Sequence, residues 1–251
     1  MMKVPLSVVV IAKNEERGIA ATLQSVAWAD EVIVVDDLSS DRTAEIARQQ
    51  GARVVQKKME NEGKHRNEAY ALAKHEWVLS LDADEEVSPE LKAEIAKIVS
   101  DNTYAGYSIP LRNYIGDHWV RHGGWYPAGK LRLFRKGKFR YEEVGVHPRA
   151  FCDGKVGTLK GDIVHKGYPD FGHFLESLNR QTTLEAEKWI QDKRKMNFFL
   201  SFYRALDRFI RTYFLKAGFL DGFIGFMVAL FAFLYQIMSY AKYRDLKRRR
   251  E

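Results

Sequence analysis

Over the first hundred positions the apolar residues fall in short unbroken runs, and toward the C-terminus they shift to longer stretches at helical spacing. Residues 6–12 and 31–36 are β-branched and apolar without alternation, the pattern of strands covered on both faces. Residues 52–56 and 76–81 make a third and a fourth strand. Between these runs, residues 17–28 carry Ile19, Leu23 and Val26 on one helical face. Ser39, Ser40 and Asp41 offer N-caps for a helix to residue 49, which Gly51 closes. Residues 63–74 form a third helix, and Ser88-Pro89-Glu90 opens a fourth with serine as cap and proline in the first turn. This alternation predicts an α/β fold: a Rossmann-like, mainly parallel sheet flanked by helices. After residue 101 the pattern changes to short aromatic and basic strands at 104–114, 130–135, 138–144 and 157–165, followed by a long helix over 171–194.

Residues 198–215 are again helical in period. Phe199, Phe202, Leu206, Phe209, Ile210 and Tyr213 share one side, and Arg204, Arg208 and Arg211 line the other, giving a basic amphipathic helix. Residues 222–241 carry no charge and are apolar all round, close to the roughly 20 residues that cross a bilayer. Basic residues flank this stretch on both sides and favour the cytoplasmic face. The expectation is a hairpin lying in the membrane plane or re-entrant, broken at Gly218, Asp221, Gly222 and Gly225, which makes the chain peripheral or monotopic at the cytoplasmic face of the inner membrane. The predicted organisation is a domain over 1–195, with halves 1–100 and 101–195, and a membrane-association region over 196–251.

Charge and cysteine content narrow the picture. The 251 residues carry 40 Lys and Arg against 33 Asp and Glu, a net charge of +7. The densest cluster is the tail Lys242-Tyr243-Arg244-Asp245-Leu246-Lys247-Arg248-Arg249-Arg250. Such a run suits nucleic acid, anionic lipid or plain solvation; beside membrane-seeking helices the partner expected is an anionic membrane surface, and no nucleic acid. Cys152 stands alone, which excludes an internal disulfide and fits a reducing compartment. The early apolar run is followed at once by Lys13-Asn14-Glu15-Glu16-Arg17, without a small-residue cleavage site, and reads as a strand and not as a signal peptide.

Chemistry concentrates where strands end in acids. The run 76–81 stops at Asp82-Ala83-Asp84-Glu85-Glu86, and 31–36 stops at Asp36-Asp37. In parallel sheets ligands bind beyond the carboxyl ends of the strands, where all four aspartates fall. Hard divalent cations prefer oxygen ligands, so Asp82 and Asp84 predict a metal–diphosphate site with Mg²⁺ or Mn²⁺, the small Ala83 leaving room for a ligand. Lys64 and Arg66 open the third helix, where backbone N–H groups and positive charge suit phosphate.

Four elements in order carry a resemblance: Val8-Val9-Val10-Ile11-Ala12-Lys13-Asn14-Glu15-Glu16, Val34-Val35-Asp36-Asp37-Leu38-Ser39-Ser40-Asp41, Gly63-Lys64-His65-Arg66-Asn67 and Leu81-Asp82-Ala83-Asp84-Glu85. Together they resemble the family 2 glycosyltransferases of GT-A fold, the third, Gly-x-x-Arg-Asn here, falling where that family usually places a Gly-x-x-x-Arg-Asn element. Residues 112–168, with His122-Gly123-Gly124-Trp125-Tyr126-Pro127, are similar to a narrower group of bacterial enzymes that add a sugar, glucose in the best-known members, to the inner core of lipopolysaccharide. Where that group has Val-His-Glu, this chain reads Val146-His147-Pro148-Arg149.

The resemblance implies a nucleotide-sugar site, a UDP-sugar being favoured. Asp37 would contact base or ribose over a floor at Ala12 and Lys13, with Asp36 assisting and Asn14, Glu15 and Asn67 within the same motifs. Asp84 would bind the metal directly, and Asp82 the ribose or a metal-bound water. Transfer to a hydroxyl needs a base, for which Glu143, and after it Glu142, are the candidates. His165, like His147, is a candidate for a further metal ligand or a phosphate contact. Trp125, Tyr126 and His147 fall on the acceptor side. The implied reaction is inverting, metal-dependent addition of one hexose to a membrane-linked glycan such as the lipopolysaccharide core. It is non-processive, because no Gln-x-x-Arg-Trp element is present. Two rival readings stand beside it: a polyprenyl-phosphate glycosyltransferase, and a non-catalytic membrane adaptor on a transferase scaffold.

Overall fold

The computed structural model describes residues 3–99, 103–144 and 148–249. Its elements in order are β1 (Val4–Ala12), α1 (Ile19–Ser25), β2 (Ala29–Asp36), α2 (Thr43–Gln49), β3 (Arg53–Gln56), α3 (Glu62–Ala71), β4 (Trp77–Asp82), β5 (Glu85–Val87) and α4 (Pro89–Ile98). There follow β6 (Gly106–Ile115), β7 (His118–Trp119), β8 (Ala128–Arg135), β9 (Phe139–Tyr141), β10 (Ala150–Cys152), β11 (Val156–Thr158) and β12 (Ile163–Tyr168). The chain ends in three helices, α5 (Phe171–Gln191), α6 (Phe198–Ile210) and α7 (Gly222–Arg248). Two compact units result, 1–111 with 129–165 and 112–128 with 166–251.

The first unit is built on a mixed sheet in the order β3-β2-β1-β4-β8-β6-β12-β5. β1, β2, β3 and β4 are parallel, as the alternation predicts, whereas β8 runs antiparallel to β4 and β5 antiparallel to β12. Val8, Val9 and Val10 are all fully buried, so successive side chains of β1 enter cores on opposite faces. Each such side chain contributes roughly 1.5–3 kcal/mol on burial. Because β1 pairs in register with both β2 and β4, Ala12 lies beside Asp36 and Ile11 beside Asp82. The strands therefore end level, and their acids share one edge.

In the second unit, α5 is capped by Asp170, whose carboxylate accepts the His173 N–H at 2.8 Å. The expected domain boundary at 195 would place α5 with the first domain; instead it packs along α7, burying Phe174 and Leu178 with Val228 and Phe231. Helix α6 is capped by Asn197 and continues as one π turn over Arg211–Leu215; a 3₁₀ turn over Gly218–Asp221 then leads into α7. α6 and α7 pair antiparallel, with Phe198 near Tyr240, Phe202 near Phe233 and Phe209 near Phe226. The turn is tight: a Cβ on Gly225 would stand 1.8 Å from the Gly218 carbonyl oxygen. Buried Asp221 accepts the backbone N–H of His122 at 2.8 Å and pairs with its Nδ1 at 2.9 Å, which docks the His122-Gly123-Gly124 loop on that turn.

Candidate active site

The two aspartates at the end of β4 meet different neighbours. Asp82 accepts Arg66 Nη2 on one oxygen at 2.9 Å and Arg132 Nη2 on the other at 2.7 Å. Arg132 comes from β8, whose pairing sets Leu133 opposite Leu79, and it bonds Glu85 as well at 2.7 Å. Glu85 in turn accepts the Asp82 N–H at 2.9 Å. Burial works against the charge on Asp82, but the two guanidiniums outweigh it and hold the carboxyl far below the usual carboxylate range. Each oxygen of Asp82, expected as a metal ligand or ribose contact, thus accepts from an arginine. Nη1 of Arg66 and Nε of Arg132 are buried and have no acceptor among the described residues.

Asp84 faces elsewhere. Its carboxylate pairs with His165 Nε2 at 3.1 Å, a meeting fixed by the antiparallel register that sets His165 opposite Glu85. Burial lowers the proton affinity of His165, and the bond and charge of Asp84 more than restore it, so its pKa ends above the ordinary histidine value. Glu15 lies beside them. Burial, then the charges of Asp84 and Asp41, push its pKa up to about 7.

Among the described residues no three His, Cys, Asp or Glu side chains form a metal-holding group. A Mg²⁺-type ion takes one or two carboxylates and fills its shell with water and substrate phosphates. Asp84, with His165 and Glu15 close by, fits an ion of that kind and does not fit an all-protein cage. Ala83 is buried with both backbone groups used, its N–H on Ile11 O at 3.1 Å and its carbonyl accepting from Thr22 Oγ1 at 2.7 Å. Its small size serves packing against α1, not the ligand room expected.

The second acidic edge is a laced pair of loops. Asp37 is buried; it accepts Lys13 Nζ at 2.7 Å and the Met59 N–H at 2.7 Å. Burial raises its pKa, these two donors lower it, and the net direction is down. Asp36 holds Ser39 and Gln56. Asn14, at a left-handed φ of 54°, accepts the Ser40 N–H at 2.8 Å, and the Ala12 carbonyl accepts the Asp37 N–H at 2.9 Å. Lys64 is exposed on the first turn of α3, whose cap is Asn61. Asn67, placed by its motif in the nucleotide site, instead clamps β9: its amide donates to Tyr141 O at 3.0 Å and accepts from Tyr141 N at 2.8 Å.

Gly63 explains how the candidate bases reach α3. A Cβ there would stand 1.8 Å from the Glu142 carbonyl oxygen, so glycine lets the 142–144 segment lie against the helix start, where Gly63 N–H meets Val144 O at 3.2 Å and Asn61 meets Glu143 O at 3.1 Å. The Glu142 carboxylate is engaged by Arg149 through two bonds of 3.0 Å; Glu143 is exposed. His147 lies outside the described residues. In the second unit, Trp125 packs edge-on to Phe174 and Tyr126 edge-on to Trp119, so both rings are part of aromatic packing.

The sequence reading singles out no role for Arg132 and includes Glu85 only within the acidic run. A sequence signal existed in one arginine within the apolar run Leu131-Arg132-Leu133-Phe134, a charge that needs a buried partner.

Residues 7–153 match the family described as Glycosyl transferase family 2. The chain belongs to that family. An uncharacterized glycosyltransferase of Rickettsia typhi is 30% identical over 257 residues, covering 96% of this chain and 87% of its own. A lipopolysaccharide core biosynthesis glycosyltransferase of Rhizobium meliloti is 23% identical, covering 96% and 92%. Among solved structures, S. aureus TarS 1–349 in complex with UDP is similar at TM-score 0.49 and 18% identity, over 100% of this chain and 92% of that one. This family 2 chain is a glycosyltransferase, and the acid-edged sheet is its GT-A scaffold.

Proposed function

We propose that the chain transfers one hexose, glucose favoured, from a UDP-sugar to a membrane-linked glycan acceptor of the lipopolysaccharide-core type, with inversion and without processivity. The observation that carries this reading is the electrostatic division of the Asp82–Asp84 edge. Asp82 is neutralised by buried Arg132 and half-buried Arg66, both of which keep a buried spare N–H donor, while Asp84 remains beside His165. Spare buried donors call for an anion, and a diphosphate next to Asp84 supplies one. The R. meliloti relative's name supports the acceptor class.

Asp84, with His165, would hold Mg²⁺ or Mn²⁺, which when bound neutralises charge on the departing diphosphate. Arg66, Arg132 and Lys64 orient the phosphates. Asp37 takes the base or ribose. The acceptor hydroxyl oxygen forms a bond to the anomeric carbon as the bond to the diphosphate oxygen breaks, and Glu143 takes the hydroxyl proton. The exposed aromatic face of α6 seats the chain on the cytoplasmic face of the inner membrane, where nucleotide sugars are available.

The test is a release assay over UDP-, GDP- and ADP-sugars with Mg²⁺ or Mn²⁺ and lipid extract. UDP release from a UDP-hexose, abolished by chelator and reduced roughly 10³-fold by Asp84→Asn, is the expected result. No nucleotide release from any donor overturns it. Glu143→Gln should cost about 10²–10⁴ in turnover; an unchanged rate favours a polyprenyl-phosphate acceptor, which needs no strong base.

A further inference from the structure

A cavity of about 190 Å³ lies within the second unit, walled by Trp125, Phe174, Phe231, Ala232 and Tyr235. Pockets that enclose a drug-sized molecule span roughly 300–1,000 Å³, whereas a cavity of about 150 Å³ already takes a benzene ring. This one therefore has room for a single six-membered ring.

Its walls are aromatic, but polar groups without protein partners also line it. The Gln181 amide donates to Ser177 Oγ at 3.1 Å, which leaves the Ser177 O–H as a donor and the Gln181 side-chain carbonyl as an acceptor. Neither group, nor the Tyr235 hydroxyl, has another hydrogen-bond partner among the described residues. Arg208 is exposed, lines the same cavity and lies over the Tyr235 ring at 5.2 Å. It has no carboxylate partner among the described residues, whereas Arg211, one turn on, pairs with Asp207 at 2.7 Å. Glu185, whose charge reaches Tyr235, accepts Trp189 Nε1 at 2.6 Å. A purely apolar occupant would leave these donors and acceptors unpaired, at a cost. A pyranose uses both features, laying its C–H faces on aromatic rings and its hydroxyls on the polar groups. The unpaired guanidinium adds a charge requirement, because it holds a carboxylate or a phosphate through two parallel N–H bonds.

We propose that the cavity seats one anionic pyranose of the acceptor glycan, its ring against the aromatic walls and its carboxylate or phosphate on Arg208. This rests on the glycan-acceptor reading above, and the two can fail separately. The full chain in detergent is titrated with methyl glucuronide, glucose 6-phosphate, methyl glucoside and inorganic phosphate and followed by saturation-transfer NMR, with nucleotide release from donor sugars measured in parallel. At least one of the two anionic sugars is expected to bind about tenfold or more tightly than methyl glucoside, with the strongest saturation on its ring C–H protons. The tighter of the two identifies the anion. Arg208→Gln should remove the preference for the anionic sugar, and Ala232→Phe, which fills the hole, should remove its binding. Neither should change nucleotide release measured without acceptor. Undiminished binding of the anionic sugar in both variants overturns the site, as does equal affinity for methyl glucoside. Equal affinity for inorganic phosphate reduces it to a bare anion contact and overturns it too. Should Ala232→Phe fail to fold by circular dichroism, the exposed Arg208→Gln decides alone. A wild-type chain that binds the anionic sugar through Arg208 but releases no nucleotide from any donor overturns the transfer reading and leaves the sugar site standing.

Discussion

Asp82 and Asp84 stand two positions apart and meet different partners because of what reaches them from elsewhere in the chain. Arg132 and Arg66 hold Asp82 ionised, whereas Asp84 shares its surroundings with a half-buried glutamate. Glu15 has a folded pKa of about 7 against an ordinary 4.5, raised first by burial and then by the charge of Asp84. For an acid with a raised folded pKa, the folded state binds the proton more tightly than the unfolded state. Its favourable contribution is complete below about pH 4.5 and is lost as pH rises to about 7. Metal-free wild type should therefore lose stability relative to Glu15→Gln across that window, the difference levelling off above it. Melting temperatures of the two proteins at half-unit pH steps check this. A constant difference from pH 4 to 8 would show that Glu15 titrates normally. Added Mn²⁺ should narrow the gap, because a cation at Asp84 opposes the charges that raise Glu15.

At the scale of elements, the parallel half of the sheet was legible because burial on both faces leaves an unbroken apolar signature, and strand ends were marked by acids. β5 left no such signature. Glu85-Glu86-Val87 reads as an acidic turn, and it forms a strand only because Arg132, 47 residues on, compensates Glu85 and β12 supplies a partner edge. The Gly-Lys-His-Arg-Asn element was legible as a motif, but its division of labour was not. Arg66 serves the acidic edge, Asn67 clamps β9, and Gly63 clears space for the segment bearing the candidate base. Such close approach is a property of two chain segments, so one segment's sequence cannot reveal it. Gly63→Ala tests the last of these roles. The methyl group must displace the Glu142 carbonyl or the start of α3, at a cost of roughly 1–3 kcal/mol in unfolding free energy. Turnover should fall at least about tenfold with circular dichroism unchanged, since a shift of about 1 Å in a catalytic group already costs more than that. Full activity in Gly63→Ala would place the base elsewhere.

For the whole molecule, the question is how a chain with, among the described residues, one helix long and apolar enough to cross a membrane, Gly218–Arg248, meets the bilayer. Length alone permits a crossing. Packing within the second unit argues against it. α6 lies along α7, so the two helices enter the bilayer together or not at all, and α6 buries only Ser201 and Ala205 against its neighbours. Small residues inward with large aromatics outward is the arrangement of helices packed in lipid. Yet Arg204, Asp207, Arg208 and Arg211 form a second exposed or half-exposed stripe on α6. Carried to the bilayer centre, each arginine costs about 3 kcal/mol. Lying in the plane, the same helix buries its aromatic stripe and leaves its basic stripe among anionic head groups. A spanning α7 would also put the basic tail across the membrane from the catalytic unit, against the bias that keeps lysine and arginine on the cytoplasmic side. In inside-out vesicles, a cysteine introduced by Lys247→Cys in a Cys152→Ser background should react with an impermeant maleimide, and externally added protease should cleave the catalytic unit. Labelling of Lys247→Cys only in right-side-out preparations would establish a crossing and overturn the in-plane seat.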